Sequence, residues 1–166
     1  MATILELASR GVLTKYDALL RPREFEDRRF YGAARLVDWF ANDLPNLESS
    51  WKIEETPSEQ LYALLLKFVV GKVLTYQNEF YPIVPHRHGV WELKTADLRV
   101  FGWFPAVDCF LGLVADTTQR VKDHDLYHGY CNEVVRFRET LELDEPKFIE
   151  GREPKDVVSN FAYSDT

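Results

Sequence analysis

Val90–Lys122, VWELKTADLRVFGWFPAVDCFLGLVADTTQRVK, is the stretch whose reading decides the fold. Trp91 to Thr95 alternates in character, Ala96-Asp97 is a turn, and Leu98 to Phe104 alternates again. Pro105-Ala106-Val107-Asp108 breaks the run, and Cys109 to Ala115 is apolar throughout, the pattern of a central strand. Three consecutive antiparallel strands are therefore expected. A turn at Ala96-Asp97 sets Thr95 opposite Leu98 and hence Lys94 opposite Arg99. One face then carries Trp91, Leu93, Leu98 and Val100 as core, and the other carries Glu92, Lys94, Arg99, Phe101 and Trp103. Two cations directly opposed are destabilising unless an anion lies between them. That anion is either Glu92 or a bound group. Cations beside Phe101 and Trp103 on an uncovered face also suit single-stranded nucleic acid, with phosphates on charge and bases on rings.

Working outward, the chain has 166 residues, 46% hydrophobic and 14% aromatic, enough for one domain with a core and too apolar for disorder. Val12–Tyr16 is a candidate first strand. Pro22 is expected to open a helix, with Glu24, Glu26 and Asp27 near its positive end and Phe30, Ala33, Ala34, Val37, Phe40, Ala41 and Leu44 as its apolar stripe. Thr56-Pro57-Ser58-Glu59 is a capping box with proline at the first helical position, so a second helix buries Leu61, Leu64, Leu65 and Phe68. After Lys122 a last helix is expected, capped by Thr118 or Asp123, with Tyr127, Val134 and Phe137 on its apolar face. The expected class is α+β, a small antiparallel sheet with helices packed on one face. Residues 1–143 are read as a single domain with an N-terminal helical extension, and 144–166 as an acidic tail.

Net charge is −7, but residues 139–166 account for −5 of it and residues 86–138 are neutral. That balance is acidic for a nucleic-acid binder. Met1–Arg10 lacks a basic start followed by an apolar run, and the longest apolar window, Leu61–Leu74, is interrupted by Lys67 and Lys72. A cytoplasmic protein with no membrane segment is expected, with Cys109 and Cys131 as buried thiols. His86 and His88 flank the entry to the hairpin, and His124 and His128 are spaced i, i+4. No cysteine or carboxylate pattern supports a metal, so neither metal nor cofactor is expected.

Trp91-Glu92-Leu93-Lys94, a short turn, then Leu98-Arg99-Val100-Phe101 resembles the x-E-L-R … x-R-V-x-Y/F hairpin of the RelE/ParE-like toxins. The similarity is to the HigB-like, phage-associated branch of type II toxin–antitoxin systems. It runs from about residue 60 to 140 and includes Lys122 after the third strand. Lys94 stands where the family carries arginine. The resemblance implies a metal-independent ribonuclease that cleaves mRNA, on the ribosome in this family, and is held by a cognate antitoxin. It implies Arg99 as the phosphate clamp, because a guanidinium grips two phosphate oxygens. Lys94 and Lys122 are then further cations, and His86 or His88 an acid or base. Phe101, Trp103, Arg120, Tyr127 and His128 are the corresponding RNA contacts. The alternative is a non-catalytic RelE-like protein that binds a protein partner. A small-molecule pocket lined by Trp91, Phe101 and Trp103 has no fingerprint in the chain. The acidic tail either docks, with Glu150, Glu153 or Asp156 near Lys94, Arg99 or Lys122 in the place of RNA phosphates, or stays a solvated segment that aids solubility.

Overall fold

The computed structural model describes residues 1–83 and 88–164. Thr3 caps a short helix, α1 (Ile4–Ser9), by accepting from the Glu6 amide, and the chain turns into an edge strand, β1 (Leu13–Lys15). No helix begins at Pro22. The Glu24 carboxylate instead accepts from the Arg21 amide in a local turn, and Arg23 has φ of 75°, which a helix cannot hold. Arg29–Ala33 forms strand β2, and only then does helix α2 (Ala34–Asn42) start. Phe30 fits a helical stripe in local periodicity yet is a strand residue, because a strand buried on both faces has a near-continuous apolar run that periodicity cannot tell from a helix.

A 3-10 turn at Leu44–Asn46 leads to helix α3 (Pro57–Val69), whose Thr56/Glu59 capping box forms in both directions. Two short strands, β3 (Leu74–Tyr76) and β4 (Phe80–Pro82), precede the meander of β5 (Trp91–Lys94), β6 (Leu98–Ala106) and β7 (Cys109–Thr117). Lys94 pairs with Arg99 and Leu93 with Val100, so the hairpin register is the expected one. Thr95 fixes the turn twice, by its amide to the Leu98 carbonyl and its hydroxyl from the Leu98 amide. Asp97 is pinned through Gln60 of α3 and the Ser50 amide. Where Gly102 meets Gly112 the register shifts, and a Cβ on Gly102 would run into the Leu111 carbonyl oxygen. Helices α4 (Thr118–Asp123), capped by Thr117, and α5 (Tyr127–Thr140) follow; α5 carries Tyr127, Val134 and Phe137, and its cap position is Leu126, with no side-chain bond, not Thr118 or Asp123.

The class is α+β, but the sheet is neither small nor wholly antiparallel. Among the described residues eight strands lie in the order β1-β2-β7-β6-β5-β4-β3-β8, with β2 parallel to β7 and β3 parallel to both its neighbours. The eighth comes from the acidic C-terminal segment: helix α6 (Pro154–Val157) and strand β8 (Phe161–Tyr163) close the sheet beside β3, and Val157 and Val158 are fully buried. Helices cover both faces, not one. On one side Trp91, Leu93 and Val100 pack with Leu61, Leu65 and Phe68 of α3 and Leu36 of α2. On the other, Phe101 and Trp103 pack with Cys131 and Val134 of α5 and Leu7 of α1. Among the described residues no helix is long and apolar enough to cross a membrane.

Candidate functional site

The hairpin register puts Lys94 beside Arg99, and the next strand sets Asp116 opposite Arg99, so a row of three charges crosses one end of the sheet. Glu92 lies behind it, two residues earlier on the same face. Its carboxylate is 4% exposed, and Lys94 Nζ stands 3.9 Å from Oε1, while Oε2 has no partner. Burial pushes the Glu92 carboxyl above its ordinary range, against the pull of Arg99, Lys94 and Lys122. Burial lowers Lys94; Glu92 opposes the shift, and Arg99 and Lys122 add to it. The three cations singled out in the sequence thus act on one buried carboxylate. Lys94 also lies 5.8 Å above the Tyr81 ring, and with Arg99 it lines an open groove of about 630 Å³ between α3 and the hairpin.

Arg99 is placed by the fold, but not on an open face. It is 6% exposed, and its Nη1 donates to the Thr95 and Leu98 carbonyls and to Thr118 Oγ1. The face expected to be uncovered is roofed by α5: Phe101 and Trp103 are fully buried. Phe101 packs at 5.9 and 5.2 Å against Tyr127 and Tyr130, and Trp103 Nε1 donates to the Lys147 carbonyl. Neither ring is a stacking platform for bases. A shared pocket for Trp91, Phe101 and Trp103 is likewise absent, since Trp91 packs on the opposite side of the sheet from the other two.

His86 lies outside the described residues. His88 lies in the turn that precedes β5, three residues ahead of Trp91, whereas Lys94 ends the strand. His88 borders a different cavity, with Phe148 and Glu150. Lys122 and His128 are exposed, and Tyr127 is half-buried. Arg120 Nε donates to Asp116 at 3.2 Å. The C-terminal carboxylates do not mask the cations: Asp156 Oδ2 accepts from the Glu153 amide in a capping box, and the segment is held at the far edge of the sheet by β8. Docking there satisfies backbone that a mask over Lys94 would leave unpaired.

Local sequence reasoning passed over two groups. Tyr130 donates from its hydroxyl to Asp116 Oδ2 at 2.6 Å, and burial with that hydrogen bond pushes its pKa up to about 12. Asp116 is 8% exposed and also accepts from the Thr117 amide. Their only sequence signal is an aspartate, Asp116, directly after the apolar run Cys109–Ala115, with a tyrosine fourteen residues on. Against known proteins, the chain matches no family model, no curated protein and no solved structure.

Proposed function

We propose that this chain is a RelE/HigB-like toxin that cleaves mRNA without a metal, acting at the Glu92–Lys94–Arg99–Lys122 cluster. The observation that carries the reading is the pairing of Lys94 with Arg99 at one end of the sheet, with the buried Glu92 carboxylate in the field of both and of Lys122. In the reaction the ribose 2′-oxygen attacks phosphorus and the 5′-oxygen leaves, giving a 2′,3′-cyclic phosphate and a 5′-hydroxyl. One proton leaves the 2′-hydroxyl and one reaches the departing oxygen. The cluster supplies positive charge for the phosphorane. Lys94, half-buried and with its pKa lowered, is the member best suited to exchange a proton nearer neutrality. The natural partners on this reading are mRNA, the ribosome and a cognate antitoxin.

A second reading, a non-catalytic relative that binds a protein partner, is favoured by one specific observation: Arg99 is buried and its Nη1 is committed to three internal acceptors. Incubating purified protein with RNA in the presence of a chelator separates the two. Cleavage that falls at least about 100-fold in Lys94→Met supports the ribonuclease. Intact RNA in every condition, translating ribosomes included, assigns the protein-binding role.

A further inference from the structure

β2 leaves the sheet at Ala33 to become α2, so its pairing with β7 stops at Gly32 and Gly112. Beyond that point the Val114–Asp116 backbone has no strand on that side among the described residues, and a groove of about 600 Å³ opens between α2 and α5. Its volume lies in the range of small-ligand sites. Two half-buried rings line it, Trp39 and Tyr130. Two arginines stand at its rim, each steadied through one nitrogen: Arg35 Nη2 by Glu133 at 3.3 Å and Arg120 Nε by Asp116 at 3.2 Å. About half or more of each arginine side chain remains exposed. Asp38 and Asp43 line the same groove from α2 and its C-terminus, both exposed, and Asp43 makes no side-chain cap bond.

The mixture of groups limits the ligand. Carboxylates inside the groove exclude a phosphate there, while exposed guanidinium groups at the rim attract one. Aromatic rings favour a flat, uncharged ring system. A carboxylate accepts two parallel N–H donors, which guanine offers from N1 and N2 and uracil cannot. Asp116 lines this groove and is the cross-strand partner of Arg99, so the two backbones are one strand spacing apart, roughly 5 Å.

We infer that the α2–α5 groove is a nucleobase site, stacking a guanine on Trp39 with Asp43 on its Watson–Crick edge and the phosphate outside at Arg120. This deepens the ribonuclease reading by naming the base next to the scissile phosphate, but it is tested separately from it. The probes are 5′-GMP and 5′-UMP, and single-stranded RNA 10-mers that are all uridine or carry one central guanosine. Binding is followed by fluorescence quenching and by anisotropy, in the full chain. Expected are a GMP affinity at least about fivefold above UMP, the same preference between the 10-mers, a loss of at least tenfold in Trp39→Ala, and loss of the base preference alone in Asp43→Asn. The exposed Asp43 makes no folded-state bond that its amide would disturb, so that variant keeps the test informative if Trp39→Ala unfolds. Binding of GMP without any RNA cleavage leaves this inference standing and removes the ribonuclease. RNA cleavage with equal affinity for all probes, unchanged in Asp43→Asn, overturns the groove assignment and leaves the ribonuclease. Preference for GMP that vanishes in the 10-mers makes the groove a site for free nucleotide and overturns its role on RNA.

Discussion

Arg28 and Arg99 are both buried, 1% and 6% exposed, and they use their guanidinium groups in opposite ways. Arg28 spreads its bonds: Nη1 donates to the Phe68 carbonyl at 3.0 Å, Nη2 to those of Lys72 and Asn160 at 2.8 and 2.9 Å, and Nε faces Asp108 at 3.4 Å. It thereby closes the end of α3, the approach to β3, the approach to β8 and the β6–β7 turn with one side chain, and stacks on Phe68 at 5.4 Å. Such a group is a structural tie, with its carbonyl partners depending on it. Arg99 directs its hydrogen bonds from Nη1 alone, and its buried Nε has none. Around it stand Lys94, a carboxylate held above its ordinary range and, across the next strand pair, Asp116. The comparison separates a cation that completes the fold from one bonded through a single nitrogen.

The largest test of the Arg28 side is removal of its most distant partner. A chain ending at Leu143 loses β8, the buried Val157 and Val158, the Asn160 carbonyl and the Lys147 carbonyl that Trp103 binds. It is expected to show no cooperative thermal transition. A cooperative melt within a few degrees of the full chain would make the C-terminal segment dispensable, and Arg28 less of a tie than its geometry suggests. Next in size, Arg28→Ala strands several buried carbonyls and should cost about 3–5 kcal/mol in urea unfolding.

Arg99→Ala is expected to cost less, about 1–3 kcal/mol, because it removes three hydrogen bonds from one nitrogen. That is more than an uncovered arginine would cost, since the residue is buried. On the ribonuclease reading the same change should lower RNA cleavage at least about 100-fold at a temperature where the variant is folded. Cleavage that falls only in proportion to the unfolded fraction would place Arg99 with Arg28 as purely structural. The smallest effect is expected from Glu92→Gln. The folded protein holds the Glu92 proton more tightly than the unfolded chain, so wild-type stability declines as pH rises from about 4.5 through the raised folded pKa. Glu92→Gln lacks that decline, and urea midpoints of the two proteins should diverge across the window in favour of the variant. Parallel profiles would mean that the three cations fully compensate the buried charge.

What was legible locally was local in cause. The Lys94–Arg99 register follows from the length of the Thr95–Leu98 turn, and the start of α3 from a box closed within four residues, so both could be read from neighbours in the chain. The meeting of Lys94 and Arg99 was readable for the same reason; that Lys122 and Asp116 join them depends on the strand that follows. The rest was decided by pairings between distant segments. Phe30 and Tyr31 are strand residues because β2 slots between β1 and β7, some eighty residues away in sequence, and a doubly buried strand leaves no alternation to read. Phe101 and Trp103 became core only when α5 closed over them, and the acidic tail became part of the sheet only through β3. An alternating strand reports that its two faces differ; what covers each face is settled by the free energy of burying it against whichever element the tertiary structure brings.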